Sequence, residues 1–142
     1  MKRLTALTLA LVMALCCTLC LFSCGNDAEI AKQIPGTYVM TSISGQYTQG
    51  SVTVDLEEDM YDYYKITFNE DGTALVESAS YGVEYEAEGT WKYEGGKLKL
   101  VSENQGIKVT EVMDWKDGTI TFKSVQQAQD IKISMEIILK KQ

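Results

Sequence analysis

The stretch V-E-Y-E-A-E-G-T-W-K-Y-E-G-G-K-L-K-L, Val83 to Leu100, decides how the rest of the chain is read. From Val83 to Tyr93 every second residue is apolar or glycine, and Glu84, Glu86, Glu88, Thr90 and Lys92 lie between them. A period of two sustained over this length marks a strand with one dry face and one wet face. Glu94-Gly95-Gly96 interrupts the alternation and Lys97-Leu98-Lys99-Leu100 resumes it, which reads as a β-hairpin turning on glycine.

The same pattern extends in both directions. Strands are predicted over residues 36–43, 63–68, 73–80, 83–93, 97–102, 107–115, 119–125 and 131–140, with glycine-bearing turns such as Asn69-Glu70-Asp71-Gly72 and Lys116-Asp117-Gly118 between them. Residues 44–50 (S-G-Q-Y-T-Q-G) are loop by composition. Residues 51–62 read as a long first connection with a short helix N-capped by Asp55. Eight strands in consecutive hairpins predict an all-β, antiparallel up-and-down barrel, with a two-sheet sandwich as the alternative. Closure would leave no unpaired edge, and a monomer is expected.

The first residues are not part of this fold. Lys2 and Arg3 precede an apolar run, Leu4 to Phe22, broken only by threonines, as in a secretory signal peptide. The run ends in Leu21-Phe22-Ser23-Cys24, an aliphatic residue, then a small residue, then cysteine, which resembles a lipobox. In that chemistry the Cys24 sulfur takes a diacylglyceryl group, and cleavage before it needs the small Ser23. An uncleaved membrane anchor and an ordinary signal peptide are the competing readings. The expected organisation is a lipoprotein signal peptide over 1–23, a lipidated N-terminus and short tether over 24–35, and a barrel domain over 36–142. The mature protein is then lipid-anchored to a membrane of the cell envelope, facing outside the cytoplasm. Cys16, Cys17 and Cys20 would leave with the signal peptide, so no disulfide would support the barrel.

Composition narrows the chemistry. Without Lys2 and Arg3 the chain has eleven basic against twenty acidic residues, a net charge of −9, which argues against nucleic acid as a partner. The chain contains no histidine, and its only cysteine outside the signal peptide would be acylated. A Ser-His-Asp or Cys-His arrangement is therefore absent, a zinc site is not expected, and the protein reads as a non-enzyme without a cofactor. Asp55, Glu57, Glu58, Asp59 and Asp62 lack the glycine and alternating ligands of a calcium loop, so no metal is expected there either.

Strand parity directs Tyr64, Ile66, Phe68, Val83, Tyr85, Trp91, Tyr93, Leu98, Leu100, Ile107, Val109, Met113, Trp115, Ile120, Phe122, Ile131, Ile133, Met135, Ile137 and Leu139 inward. An interior so rich in rings is either filled core or the wall of a site for one small apolar ligand. Glu111 shares the inward parity and is the exception among these residues, unless a bulge turns it outward. A carboxylate inside must be paired, hydrogen-bonded or neutralised, and could meet a ligand amine or hydroxyl. The candidate ligand-binding residues are Tyr85, Trp91, Glu111 and Trp115. The 44–62 connection, with Tyr47, Met60, Tyr61 and Tyr63, is the expected lid over one barrel end.

Several of these segments share a family likeness. Gly36-Thr37-Tyr38 resembles the G-x-W that opens lipocalins. Phe68-Asn69-Glu70-Asp71-Gly72-Thr73, Gly89-Thr90-Trp91, Gly96-Lys97-Leu98-Lys99-Leu100 and Asp117-Gly118-Thr119-Ile120-Thr121-Phe122 are together similar to bacterial lipocalin-like domain lipoproteins, over residues 34–140. The resemblance implies a lipocalin-like barrel that carries a small hydrophobic or amphipathic ligand near the cell envelope. Tyr38 stands where lipocalins have the tryptophan that closes the barrel base. The alternative function is a surface module whose acidic exterior binds a cationic envelope protein. For the N-terminus, Cys24→Ser should abolish both lipidation and cleavage before residue 24, as read by mass spectrometry of membrane-extracted protein. A mature chain beginning elsewhere would contradict the lipobox reading.

Overall fold

Two-residue turns set the topology. Tyr81-Gly82, Gln105-Gly106 and Asp117-Gly118 each have positive φ at both positions, 52° and 77°, 50° and 79°, and 50° and 77°. These are the type I′ hairpin turns whose twist matches that of the strands they join. A computed structural model describes residues 26–56, 59 and 61–142, without the side chains of Gln126 and Ala128. The predicted signal peptide and Cys24 lie outside the described residues.

Among the described residues the strands are β1 (Gly36–Gln49), β2 (Val52–Asp55), β3 (Tyr63–Phe68), β4 (Thr73–Ser80), β5 (Val83–Glu94), β6 (Lys97–Asn104), β7 (Ile107–Lys116), β8 (Thr119–Ala128) and β9 (Ile131–Lys141). They form one sheet in the order β2-β1-β3-β4-β5-β6-β7-β8-β9, and β1 also pairs with β9. That last pairing, antiparallel from Tyr38↔Lys141 to Gln49↔Ile131, closes β1 and β3 to β9 into an eight-stranded barrel. The sandwich alternative is excluded by this ring.

The first connection differs from its predicted form. β1 runs on through Ser44 to Gln49, and Val52–Asp55 returns along it as β2, so Asp55 ends a strand and accepts from Gln46 Nε2 at 3.1 Å. One edge of β1 thus carries β3 at Gly36 to Val39 and β2 at Gln46 to Gln49. The other edge carries β9 throughout, with a bulge between Met40 and Ser42. The polar stretch reads as loop by residue type, but pairing to β9 across from Ile131, Ile133 and Met135 holds it extended. At Gly45 an added Cβ would collide with the Ser134 carbonyl and the Met135 backbone, so the two strands approach too closely for a side chain. The 44–62 segment is therefore mainly a hairpin rather than a lid. Residues 57, 58 and 60 lie outside the described part.

The core fills one end of the barrel, here called the base. Tyr38, Phe68, Ile66, Leu98, Leu100, Met113, Ile120 and Leu139 are fully buried there, together with Ile34. Where a short tether is expected over residues 24–35, the described part packs against this base. Residues 26–31 form a single short helix, α1, and Ile30 lies on the core while Asp27 accepts from the Gly95 amide at 2.8 Å. The Tyr38 hydroxyl donates to the Ile34 carbonyl at 2.8 Å and accepts from Trp115 Nε1 at 2.9 Å. Burial pushes this hydroxyl above the ordinary phenol range, so it stays a neutral donor. Edge-to-face contacts continue from Tyr38 to Phe68 at 5.6 Å and from Phe68 to Trp91 at 5.7 Å.

Removing that hydroxyl leaves a buried carbonyl and a half-buried indole N–H without their partner. Tyr38→Phe should cost about 1–3 kcal/mol in denaturant unfolding. Tyr47→Phe loses a bond only to the exposed Gln49 and should stay within about 0.5 kcal/mol. Equal losses would show that Tyr38 does not seal the base.

Candidate ligand site at the open end of the barrel

At the end opposite the base the inward parity continues but burial does not. Val83 and Ile107 are 71% and 69% exposed, and Tyr85 and Val109 are both 43% exposed. Alternation directs these residues inside, against what is found. They keep the parity of buried Ala87 and Met113 on their own strands, yet nothing covers them among the described residues. Beside and below them the inward side chains of β4, β5 and β6 are small: Ser78 opposite Tyr85, Ser102 opposite Val109, and Ala87 one inward step below Tyr85, all buried. A pocket of about 240 Å³ opens here, lined by Tyr85, Asn104, Gln105, Ile107 and Val109.

Two interruptions in strand pairing shape this end. β5 and β6 pair only from Glu94↔Lys97 to Glu88↔Glu103, and above that Asn104 Nδ2 bridges to the Glu86 carbonyl at 2.7 Å. β7 and β8 pair only at Asp114↔Thr121, Trp115↔Ile120 and Lys116↔Thr119. Beyond those three rows β7 stays with β6 and β8 stays with β9, so the β7–β8 seam is zipped at the base alone. The ring is closed, but its wall loosens toward the open end.

Glu111 sits on β7 beside that seam. Its register with Leu100 is unbroken, so no bulge turns it outward, and it is half-buried. No hydrogen-bond or ion-pair partner for its carboxylate is found among the described residues. Burial holds its carboxyl above the usual carboxylate range. Tyr64 lies on β3, four strands away in a ring of eight, and so faces Glu111 across the lumen. Burial first, then the negative charge of Glu111, then Tyr61 and Tyr85 push the Tyr64 hydroxyl well above its ordinary range. Tyr61 packs edge-on against Tyr64 at 6.1 Å. Three phenol rings and one carboxyl thus share the upper lumen.

The model of the lipocalin-like domain matches residues 34–122, from the buried Ile34 to Phe122 on β8. The chain belongs to the lipocalin-like domain family. The remainder of β8 and β9, beyond the matched span, completes this lipocalin-like barrel. No curated protein and no solved structure matches the chain.

Of the four candidate residues read from sequence, the barrel brings Tyr85 and Glu111 to the upper lumen. Trp91 and Trp115 stand at the base, where their indole N–H groups are taken by the Asn69 carbonyl at 2.8 Å and by Tyr38. Tyr61 and Tyr64 belong with Glu111 and are not among the four. The parity Tyr64 shares with Ile66 and Phe68 marks it as inward, but nothing local to the sequence sets it opposite Glu111.

A folded-state pKa raised above the unfolded value means that folding favours the protonated acid. That contribution is present below the unfolded value and is lost as pH rises through the folded one. At neutral pH an ionised Glu111 therefore costs stability. Glu111→Gln should raise the thermal midpoint at pH 7, and the gain should vanish in acid, where wild type is protonated in both states. A lower midpoint at pH 7 would mean the carboxylate has a stabilising partner.

Proposed function

We propose that this protein binds a small hydrophobic or amphipathic molecule in the upper half of its barrel. The observation that carries the reading is the contrast between the two ends. The base is sealed by Ile34, Tyr38 and Trp115, while apolar side chains of inward parity at the other end stand open to water. Exposed apolar surface rimmed by polar groups costs free energy until something covers it, which is the usual character of a binding site.

The anchor is part of the same proposal. With a diacylglyceryl group on Cys24, the protein would be held at the membrane of the cell envelope through its N-terminus. The described part of α1 starts at Asn26 and lies on the base, and two residues of chain in any conformation span at most about 7 Å. The sealed base would then face the bilayer and the open end the aqueous side. On this geometry the ligand arrives from outside rather than directly from the supporting membrane.

Titration with the neutral fluorescent probe N-phenylnaphthylamine tests the site. Wild type should show saturable binding. Val109→Asp, on the lumen side of β7, should weaken it by at least about tenfold by placing a charge in an apolar site. Val112→Asp, on the outer face of the same strand, should leave it unchanged. Absence of saturable binding, or equal losses in both variants, would overturn the lumenal site and direct attention to the acidic exterior.

A further inference from the structure

We propose that the upper lumen selects ligands bearing a protonated amine, with Glu111 as the counter-ion, the ring of Tyr64 facing it and the rings of Tyr61 and Tyr85 near Tyr64. The proposal rests on the ligand-binding reading above and names the ligand class for that site.

The argument begins with position. Glu111 lies one inward step above buried Met113 and is paired to buried Leu100, so the filled core forms the floor at its level. Above it on β7 the inward residues are Val109 and Ile107, and Tyr85 of β5 joins them around the pocket. A ligand entering from the open end would therefore meet apolar walls first and a single acid at depth. Its apolar body would lie along Val109, Ile107 and Tyr85, and its polar head at Glu111.

The chemistry of that head follows from what Glu111 lacks. Without an ion-pair or hydrogen-bond partner among the described residues, the half-buried carboxyl is disfavoured as an anion. An ammonium beside it supplies both the opposite charge and N–H donors, and this pairing is stronger out of bulk water. Where the free site holds the acid protonated, the proton leaves to solvent as the ammonium–carboxylate pair forms. The phenol rings add cation–π attraction, which an alcohol or a carboxylate cannot use. An anionic head would be repelled by Glu111 and by the net charge of −7, which instead draws cations toward the site. A metal ion is a poor occupant, because hard cations need several charged oxygen ligands and no group of three or more acids that could hold one is found among the described residues.

Isothermal titration of the purified full chain at pH 7 with n-hexylamine, n-hexanol and hexanoate, three probes with the same tail, tests the proposal. The amine should bind at least about tenfold more tightly than the other two. In Glu111→Gln, shown to be folded by its thermal melt, that preference should disappear while hexanol binding persists. Equal affinities for all three in wild type, or an amine preference that survives Glu111→Gln, would overturn the amine selectivity and leave the lumenal site standing. Binding of none of the three would remove the ligand-binding reading itself, and this inference with it.

Discussion

The hydroxyl of Tyr38 holds the base of this barrel together. It joins the Ile34 carbonyl on the entering chain to the Trp115 indole near the end of β7. Two segments distant in sequence, the entering chain with the start of β1 and the end of β7, thus meet at one buried atom. An unmet polar group at that depth is costly, so the bond constrains where the chain enters as well as where β7 ends. Its neighbours follow from it. Phe68 and Trp91 stack edge-on outward from the Tyr38 ring, and Lys141 places its ammonium 5.9 Å from that ring while donating to the Gln33 carbonyl. In lipocalins a tryptophan closes this position. Here a tyrosine does so, with the indole N–H supplied from Trp115.

A base sealed this firmly allows the other end to remain loose. Short two-residue turns hold β4 to β5, β6 to β7 and β7 to β8, but the rows between β5 and β6 and between β7 and β8 stop before the open end. Side chains of inward parity change character along the axis, from Leu98, Leu100, Met113 and Leu139 at the base to Ser78, Ala87 and Ser102 higher up. Small side chains cannot fill an eight-stranded lumen. The exposed Val83, Ile107, Tyr85 and Val109 are the consequence, and they are the physical basis for the site proposed at this end.

Glu111 gains its meaning from that gradient. The same carboxyl at the level of Met113 would be enclosed by hydrocarbon, and at the level of Ile107 it would be solvated. At its actual height it is half-buried, faces Tyr64 across the lumen and has no cation beside it among the described residues. Several surface lysines are engaged elsewhere. Lys65 with Glu77, Lys123 with Glu136 and Lys97 with Asp114 are pairs on the outer wall, worth little to stability but consistent with an exterior that stays wet.

Alternation alone determined most of the barrel. The glutamates of β5 and the lysines of β6 put one face of each strand in water, and turns such as Asp117-Gly118 demanded hairpins, so strand order and inward parity are legible in the residues themselves. Leu21-Phe22-Ser23-Cys24 likewise points to a lipid anchor from local pattern, because the processing it implies acts on a short linear segment. Tertiary structure alone decided what lay between these signals. Ser44 to Gln49 became strand because β9 lies beside it, which its polar composition could not announce. Trp91 and Trp115 share the parity of Tyr85 and Glu111, but parity says only which face a residue occupies. Height along the barrel separates sealed core from open site. That height depends on the shear between strands and on where each pairing ends, and both arise from contacts between residues far apart in the chain.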